Sequence, residues 1–168
     1  IYLTFDDGPS TKVTKQILKT LEKYEVPATF FVIDYGNDPK KIKLMQRALD
    51  DGCTIGIHGY SHDYSKIYAS TDAFMENVTS LHDKLLEDLG YDAFVMRFPG
   101  GSSNTVSKSY CKGIMSDLVR LVQLEGYMYN DWNVDSTDAS GNNIPAKQII
   151  ASVKENCDPE KYNIILMH

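Results

Sequence analysis

The chain has 168 residues, 42% of them hydrophobic and 24% charged, with a formal net charge of −6. That size suits one domain burying roughly two thirds of the surface its unfolded form exposes. The acidic balance argues against a nucleic-acid partner, whose phosphates require clustered Lys and Arg. No apolar run approaches the ~18 residues of a membrane-spanning helix. Cys53, Cys111 and Cys157 are odd in number and contain no Cys-x-x-Cys pair, which argues against a disulfide framework and against a cysteine zinc knuckle.

In chain order, "IYLTF" (1–5) predicts a strand, and "DDGP" after it predicts a sharp turn at Gly8 and Pro9. Residues 12–24 put Val13, Ile17, Leu18, Leu21 and Tyr24 on one helical face. "ATFFVI" (28–33) is a second strand, and 40–52 a second helix ending on Gly52. "TIGI" (54–57) is a third strand, followed by "HGYSHD" (58–63) and a helix over 71–90, with Thr71 as N-cap and Gly90 past its end. Strands at 94–98, 127–132 and 163–167 and helices near 106–125 and 145–156 complete the chain. Six strands alternating with five helices predict one α/β domain over 1–168, with parallel strands joined by right-handed crossovers into a barrel or an open sheet. Both ends fall on strand runs, so the chain reads as a segment of a longer protein, and the missing signal peptide carries no information about secretion.

Polar residues gather at the C-terminal ends of the strands: "DDGP", "HGYSHD", "RFPGG", "DWNVDSTD" and His168. Ligands of parallel α/β folds bind at that edge, so the pattern predicts an enzyme. His58 and His62, four residues apart, would point the same way from one turn of helix and share an ion. Two imidazoles and one carboxylate leave a metal position open for water, as in hydrolytic zinc sites. Asp6 and Asp7 offer that carboxylate. As neighbours on a strand they face opposite ways, so one would bind the metal and the other stay beside the water as base. Arg97, inside an apolar run, requires a carboxylate partner. "PGG" (99–101) is a turn signal whose bare N–H groups could also grip an oxyanion. His168 could act as a general acid, with Asp135 and Asp138 on offer to raise its pKa.

These motifs, in this order and over essentially the whole chain, resemble the polysaccharide deacetylases of carbohydrate esterase family 4. The resemblance implies a deformed, incomplete (β/α) barrel that removes N- or O-acetyl groups from glycans. On matching positions, Asp6 is similar to the family's catalytic base, and Asp7, His58 and His62 to the ligands of one divalent ion, Zn2+ first, with Co2+, Mn2+ or Ni2+ as alternatives. Arg97 resembles the residue that orients the base. His168 resembles the acid, with Asp138 tuning it and Asp135 in reserve. Three positions depart from the family pattern. Gly59 replaces a Ser or Thr that could support the histidines. Gly100 stands where the family has Tyr, keeping the oxyanion N–H but removing an aromatic groove wall. Ala139 follows Asp138 in place of Trp, for which Trp132 is a candidate substitute.

The implied reaction has the ion and Asp6 activating a water, the Gly100 N–H holding the oxyanion and His168 protonating the leaving amine. The expected partner is an acetylated glycan, peptidoglycan first, then chitin oligomers or acetylxylan, met by a monomer at a bacterial cell surface or outside the cell. A catalytically silent glycan-binding module of the same fold is the alternative. A metal-dependent phosphohydrolase or sugar-acid lyase at the same edge would need a phosphate cradle or more basic residues, and neither is evident.

Overall fold

Two of the long helices begin where the sequence supplies a side-chain partner for a free backbone N–H. The computed structural model describes all of residues 1–168 and contains α1 (Val13–Tyr24), α2 (Pro39–Asp50), α3 (Tyr64–Ile67), α4 (Thr71–Leu89), α5 (Ile114–Leu124) and α6 (Ala146–Asn156). Asp38 caps α2 by accepting from Lys40 N–H at 2.9 Å, with Pro39 pre-set in the first turn. The expected cap of α4, Thr71, is instead its first helical residue. Ser70 is the cap, its hydroxyl accepting from Ala73 N–H at 3.1 Å, because Ser70 alone has the extended backbone a cap needs. Gly90 closes α4 in the left-handed region, at φ 63. The helix expected near 106–125 is broken. A 3-10 turn, Val106–Ser109, precedes α5, and Gly113 at φ 85 forbids one continuous helix. In α1 the buried residues are Thr14, Leu18 and Leu21; Val13 and Tyr24, the ends of the expected stripe, are exposed.

The strands are β1 (Tyr2–Gly8), β2 (Thr29–Ile33), β3 (Thr54–Gly59), β4 (Val95–Met96), β5 (Met128–Tyr129), β6 (Val134–Asp135) and β7 (Ile164–Met167). All pair in parallel, in the order β5-β4-β3-β2-β1-β7-β6. Seven strands thus form one curled sheet that does not close, a deformed, incomplete (β/α) barrel. The strand that sequence reading overlooked is β6, a two-residue element pairing only with β7. No helix is long and apolar enough to cross a membrane, and all three cysteines are free.

Register sorts the side chains onto two faces. Phe30, Val32, Ile55, Ile57, Met96 and Phe98 share the outer face and pack with Leu18, Phe74, Leu81 and Leu118 into the main apolar core. On the inner face, Thr4 lies opposite Thr29 and Asp6 opposite Phe31, which in turn lies opposite Gly56. His58 and Arg97 belong to that same face, so a layer of polar groups lines the concave side.

Candidate active site

Arg97 organises the inner layer. Its side chain is fully buried, and its guanidinium lies over the ring of Phe31, 4.3 Å from the centroid. Phe31 has room only because β3 carries Gly56, where a Cβ would come within 2.6 Å of the ring. Arg97 donates Nε–H to Asn130 O (2.9 Å), Nη1–H to Thr4 Oγ1 (2.7 Å) and Asp6 Oδ1 (2.9 Å), and Nη2–H to Asp131 O (3.1 Å). Thr4 in turn donates to Ile165 O at 2.6 Å, tying the network to β7. A buried guanidinium is tolerable with this many acceptors and a charged partner. Burial pushes the Asp6 carboxyl up to about 6, against the opposing pull of Arg97.

Asp6 and Asp7 do not follow simple strand alternation. The β1–β2 register shifts between Asp6 and Gly8, and Asp7 takes φ 67, a local bulge at the end of the strand. The bulge turns Asp7 back toward the cluster. Both carboxylates consequently approach the same atom, His58 Nε2, at 3.8 Å from Asp6 Oδ2 and 3.5 Å from Asp7 Oδ1. The two still differ in setting, since Asp6 is buried beside Arg97 and Asp7 is exposed.

His58 and His62 converge, but not from a helical turn. His58 is a residue of β3, and His62 sits in the loop before α3, swung back by Gly59 at φ 130. The rings lie 5.1 Å apart, and His62 Nε2 is 3.7 Å from Asp7 Oδ1. His58 Nδ1 is 2.9 Å from Arg97 O, so Nδ1 carries the proton, and Nε2 offers its lone pair to the cluster. Burial pushes the His58 imidazole well below its usual range, which favours the neutral, ligating form. One ligand atom from each of Asp7, His58 and His62 lies within 4.8 Å of the others. A carboxylate oxygen and two imidazole nitrogens so arranged, one imidazole orientated by a carbonyl behind it, fit a divalent ion.

His168 stands on the other side of Asp6, beyond β7. Its backbone N–H donates to Asp138 Oδ2 (2.6 Å) and its Nδ1–H to Asp138 Oδ1 (2.9 Å). Burial alone would lower this imidazole's pKa. The hydrogen bond and charge of Asp138, with Asp7 and Asp6 beyond, outweigh burial and hold it above its ordinary value. Asp135, the reserve partner, is turned away: its Oδ1 accepts from Thr137 N–H at 2.7 Å, an ordinary Asx-turn on an exposed residue. A cavity of about 210 Å3 reaches Asp6, Asp7 and His168 and is lined beside them by Ser10, Thr14 and Val13. A larger groove of about 560 Å3 lies elsewhere, between α1 and α2, and is lined by lysines and Arg47 without the imidazoles.

The remaining expected residues lie near Arg97. Gly100, at φ 77, donates its N–H to no carbonyl of the fold. An aromatic residue of α3, Tyr64, stands beside this position. A Cβ on Gly100 would stand 3.1 Å from Tyr64 Oη, and the Tyr64 ring meets His62 edge-on at 5.2 Å. Trp132 covers Gly101, with 3.2 Å from its ring to where a Cβ would be, and lies 5.5 Å from the Arg97 guanidinium. It therefore belongs to the wall around Arg97. Sequence reading missed Tyr64, Thr4, Asp131 and Asn77. Asp131 accepts from both N–H and hydroxyl of Ser102, bracing the "PGG" turn. For Thr4 a signal existed, because it precedes Asp6 by two residues on one strand and so shares its face.

A parallel α/β half-barrel with a triad whose geometry suits a divalent ion, a second carboxylate clamped by a buried arginine and an acid-paired histidine opposite has the equipment of a hydrolase. Comparison with known proteins narrows the class: residues 1–114 match the family model of polysaccharide deacetylases, and the chain belongs to that family. It is similar to the catalytic domain of a peptidoglycan N-acetylglucosamine deacetylase from Eubacterium rectale, with 42% identity, a TM-score of 0.92, and coverage of 99% of this chain and 74% of that one. A bifunctional xylanase/deacetylase of Pseudobutyrivibrio xylanivorans is 33% identical over all of this chain and 25% of its own length. A Bacillus cereus peptidoglycan-N-acetylglucosamine deacetylase is 29% identical over 99% of this chain and 58% of its own. The chain thus spans little more than half the length of that relative, and a quarter of the other.

Proposed function

We propose that the chain is a metal-dependent deacetylase domain that hydrolyses the N-acetyl groups of N-acetylglucosamine units in a polysaccharide, peptidoglycan first. The observation that carries this reading is the joint placement of the Asp7–His58–His62 cluster and Asp6, with Asp6 held 2.9 Å from Arg97 and 3.8 Å from His58 Nε2. Zn2+ held by Asp7 Oδ1, His58 Nε2 and His62 Nε2, or Co2+, Mn2+ or Ni2+ on the same donors, would supply the Lewis acidity that lowers the pKa of a water toward ~7 and polarises the acetyl carbonyl. Asp6 takes the proton as water oxygen bonds to the acetyl carbon. Arg97 keeps that carboxylate aimed at the cluster and away from solvent. The free N–H of Gly100 is a donor for the oxyanion, an interaction worth on the order of 10²–10³ in rate in comparable sites. His168, its pKa raised by the Asp138 carboxylate, gives its proton to the nitrogen as the C–N bond breaks. Acetate and a free amino sugar leave.

Peptidoglycan is favoured by the 42% identity to a peptidoglycan deacetylase domain, and a wall substrate places the enzyme at the cell surface or outside the cell. The similarity to a bifunctional xylanase/deacetylase keeps O-acetyl xylan as the second substrate. Acetate release from peptidoglycan, chitin oligomers and acetylxylan, before and after chelation and with Zn2+ restored, tests the reading. Chelator-sensitive release, greatest on peptidoglycan, is expected. Release unaffected by complete metal removal would overturn the metal role, and no release from any of the three would overturn the activity.

A further inference from the structure

Three residues, Gly59 to Ser61, separate the two imidazoles of the cluster, and one residue of another element meets each of them. At φ 130, Gly59 has no space for a side chain, because a Cβ there would stand 2.3 Å from Asn77 Nδ2. Asn77 belongs to α4. It is only 8% exposed, inside the apolar stripe formed by Phe74, Val78 and Leu81. An amide in such a stripe is costly unless its polar atoms are used. Its oxygen is used on the turn. Ser61 N–H donates to Asn77 Oδ1 at 2.6 Å, while the Tyr60 N–H donates to the main-chain carbonyl of residue 77 at 3.0 Å, a bond independent of the side chain. Asn77 Nδ2 is buried without an acceptor, packed where the Gly59 side chain would otherwise be.

We propose that Asn77 is a positioning residue for the ion-binding cluster, fixing how far His62 swings back toward His58 and Asp7. The inference rests on reading those three residues as metal ligands. His58 needs no such help, since β3 pairing and the Arg97 carbonyl already fix it. His62 lies outside the sheet, and the turn that carries it contains a glycine, the residue with the most conformational freedom to lose. Asn77 touches no ligand. Its side chain acts through the peptide N–H of Ser61, the residue immediately before His62. A group hydrogen-bonded to a ligand typically changes metal affinity by about 10–100-fold when removed, and Asn77, one peptide further out, belongs at the lower end of that range. Steric exclusion between Asn77 and any side chain at position 59 also explains the departure at Gly59: the support expected from a Ser or Thr there arrives from α4 instead.

Two substitutions separate the acceptor from the packing. Asn77→Leu keeps the volume and removes the acceptor, whereas Asn77→Asp keeps an oxygen in the place of Oδ1. Affinity for Zn2+ is measured by competition with a chelator. The Co2+ absorption spectrum and the melting temperature of the chelator-treated protein are measured alongside. We expect Asn77→Leu to weaken Zn2+ binding about tenfold or more and to alter the Co2+ spectrum, with Asn77→Asp close to wild type in both. Wild-type affinity in Asn77→Leu, or equal losses in both variants, would overturn the proposal. A lower melting temperature with unchanged affinity and spectrum would also overturn it, reducing Asn77 to a purely structural residue. Should Asn77→Leu fail to fold, Asn77→Ala carries the same expectation. If wild type itself binds no Zn2+, the metal reading fails first; wild-type binding retained by Asn77→Leu sinks only the inference about Asn77.

Discussion

The two faces of the sheet are built on opposite principles. The outer face is apolar, shared by Phe30, Ile55, Ile57 and the stripes of α1, α4 and α5, and any residue of similar shape would serve there. The inner face is a polar layer in which Thr4, Asp6, His58 and Arg97 each depend on a named partner from another segment of the chain. Stability resides mainly in the first layer and the proposed chemistry in the second. A substitution should therefore report its layer by what it changes.

The largest effect belongs to the inner side of the site. Replacing His168 by Ala should slow hydrolysis of the N-acetyl amide by about 10²–10⁴-fold. An activated aryl acetate, whose leaving group needs no proton, should be hydrolysed with a far smaller loss. Equal losses on the two substrates would mean that His168 only shapes the cavity. An intermediate effect is expected from the outer layer. Leu81→Ala, at a fully buried position, should cost about 2–5 kcal/mol of stability by denaturant unfolding, with Zn2+ affinity unchanged. A large loss of metal affinity in that variant would break the division between the faces.

How much of each face could be read from sequence follows from the same contrast. Apolar periodicity is local, so α1, α2, α4 and the strands near them were legible, with errors where a glycine or a cap decided the boundary, as at Gly113 and Ser70. β6 was not legible because two residues carry no period. On the inner face the candidate groups were legible by type and by position at strand ends. Their geometry was not. The bulge that turns Asp7 toward Asp6, the loop rather than helix under His62, and the partners Thr4 and Asn77 are set by contacts between distant segments. Asn77 did leave a trace, a polar residue at an apolar position of the α4 stripe. Tyr64 left none, since nothing in "DYSKI" says that its hydroxyl will stand over Gly100.

The smallest expected effect sharpens the assignment of His168. Its pKa is raised in the folded protein, so the protonated form is held below that pKa and lost as pH rises through it. Asp138→Asn removes the hydrogen-bonded charge that raises it. The alkaline limb of the deacetylation profile should then move to lower pH, and an unmoved limb would show that another group sets it.

Adjacent carboxylates doing different work is the central claim, and one paired measurement addresses it. Zn2+ content and acetate release are determined for Asp6→Asn and Asp7→Asn side by side. With Asp6 buried on Arg97 and Asp7 facing both imidazoles, Asp6→Asn should retain the ion and lose turnover, whereas Asp7→Asn should lose the ion. The opposite pattern, with the ion lost from Asp6→Asn and kept by Asp7→Asn, would contradict the account.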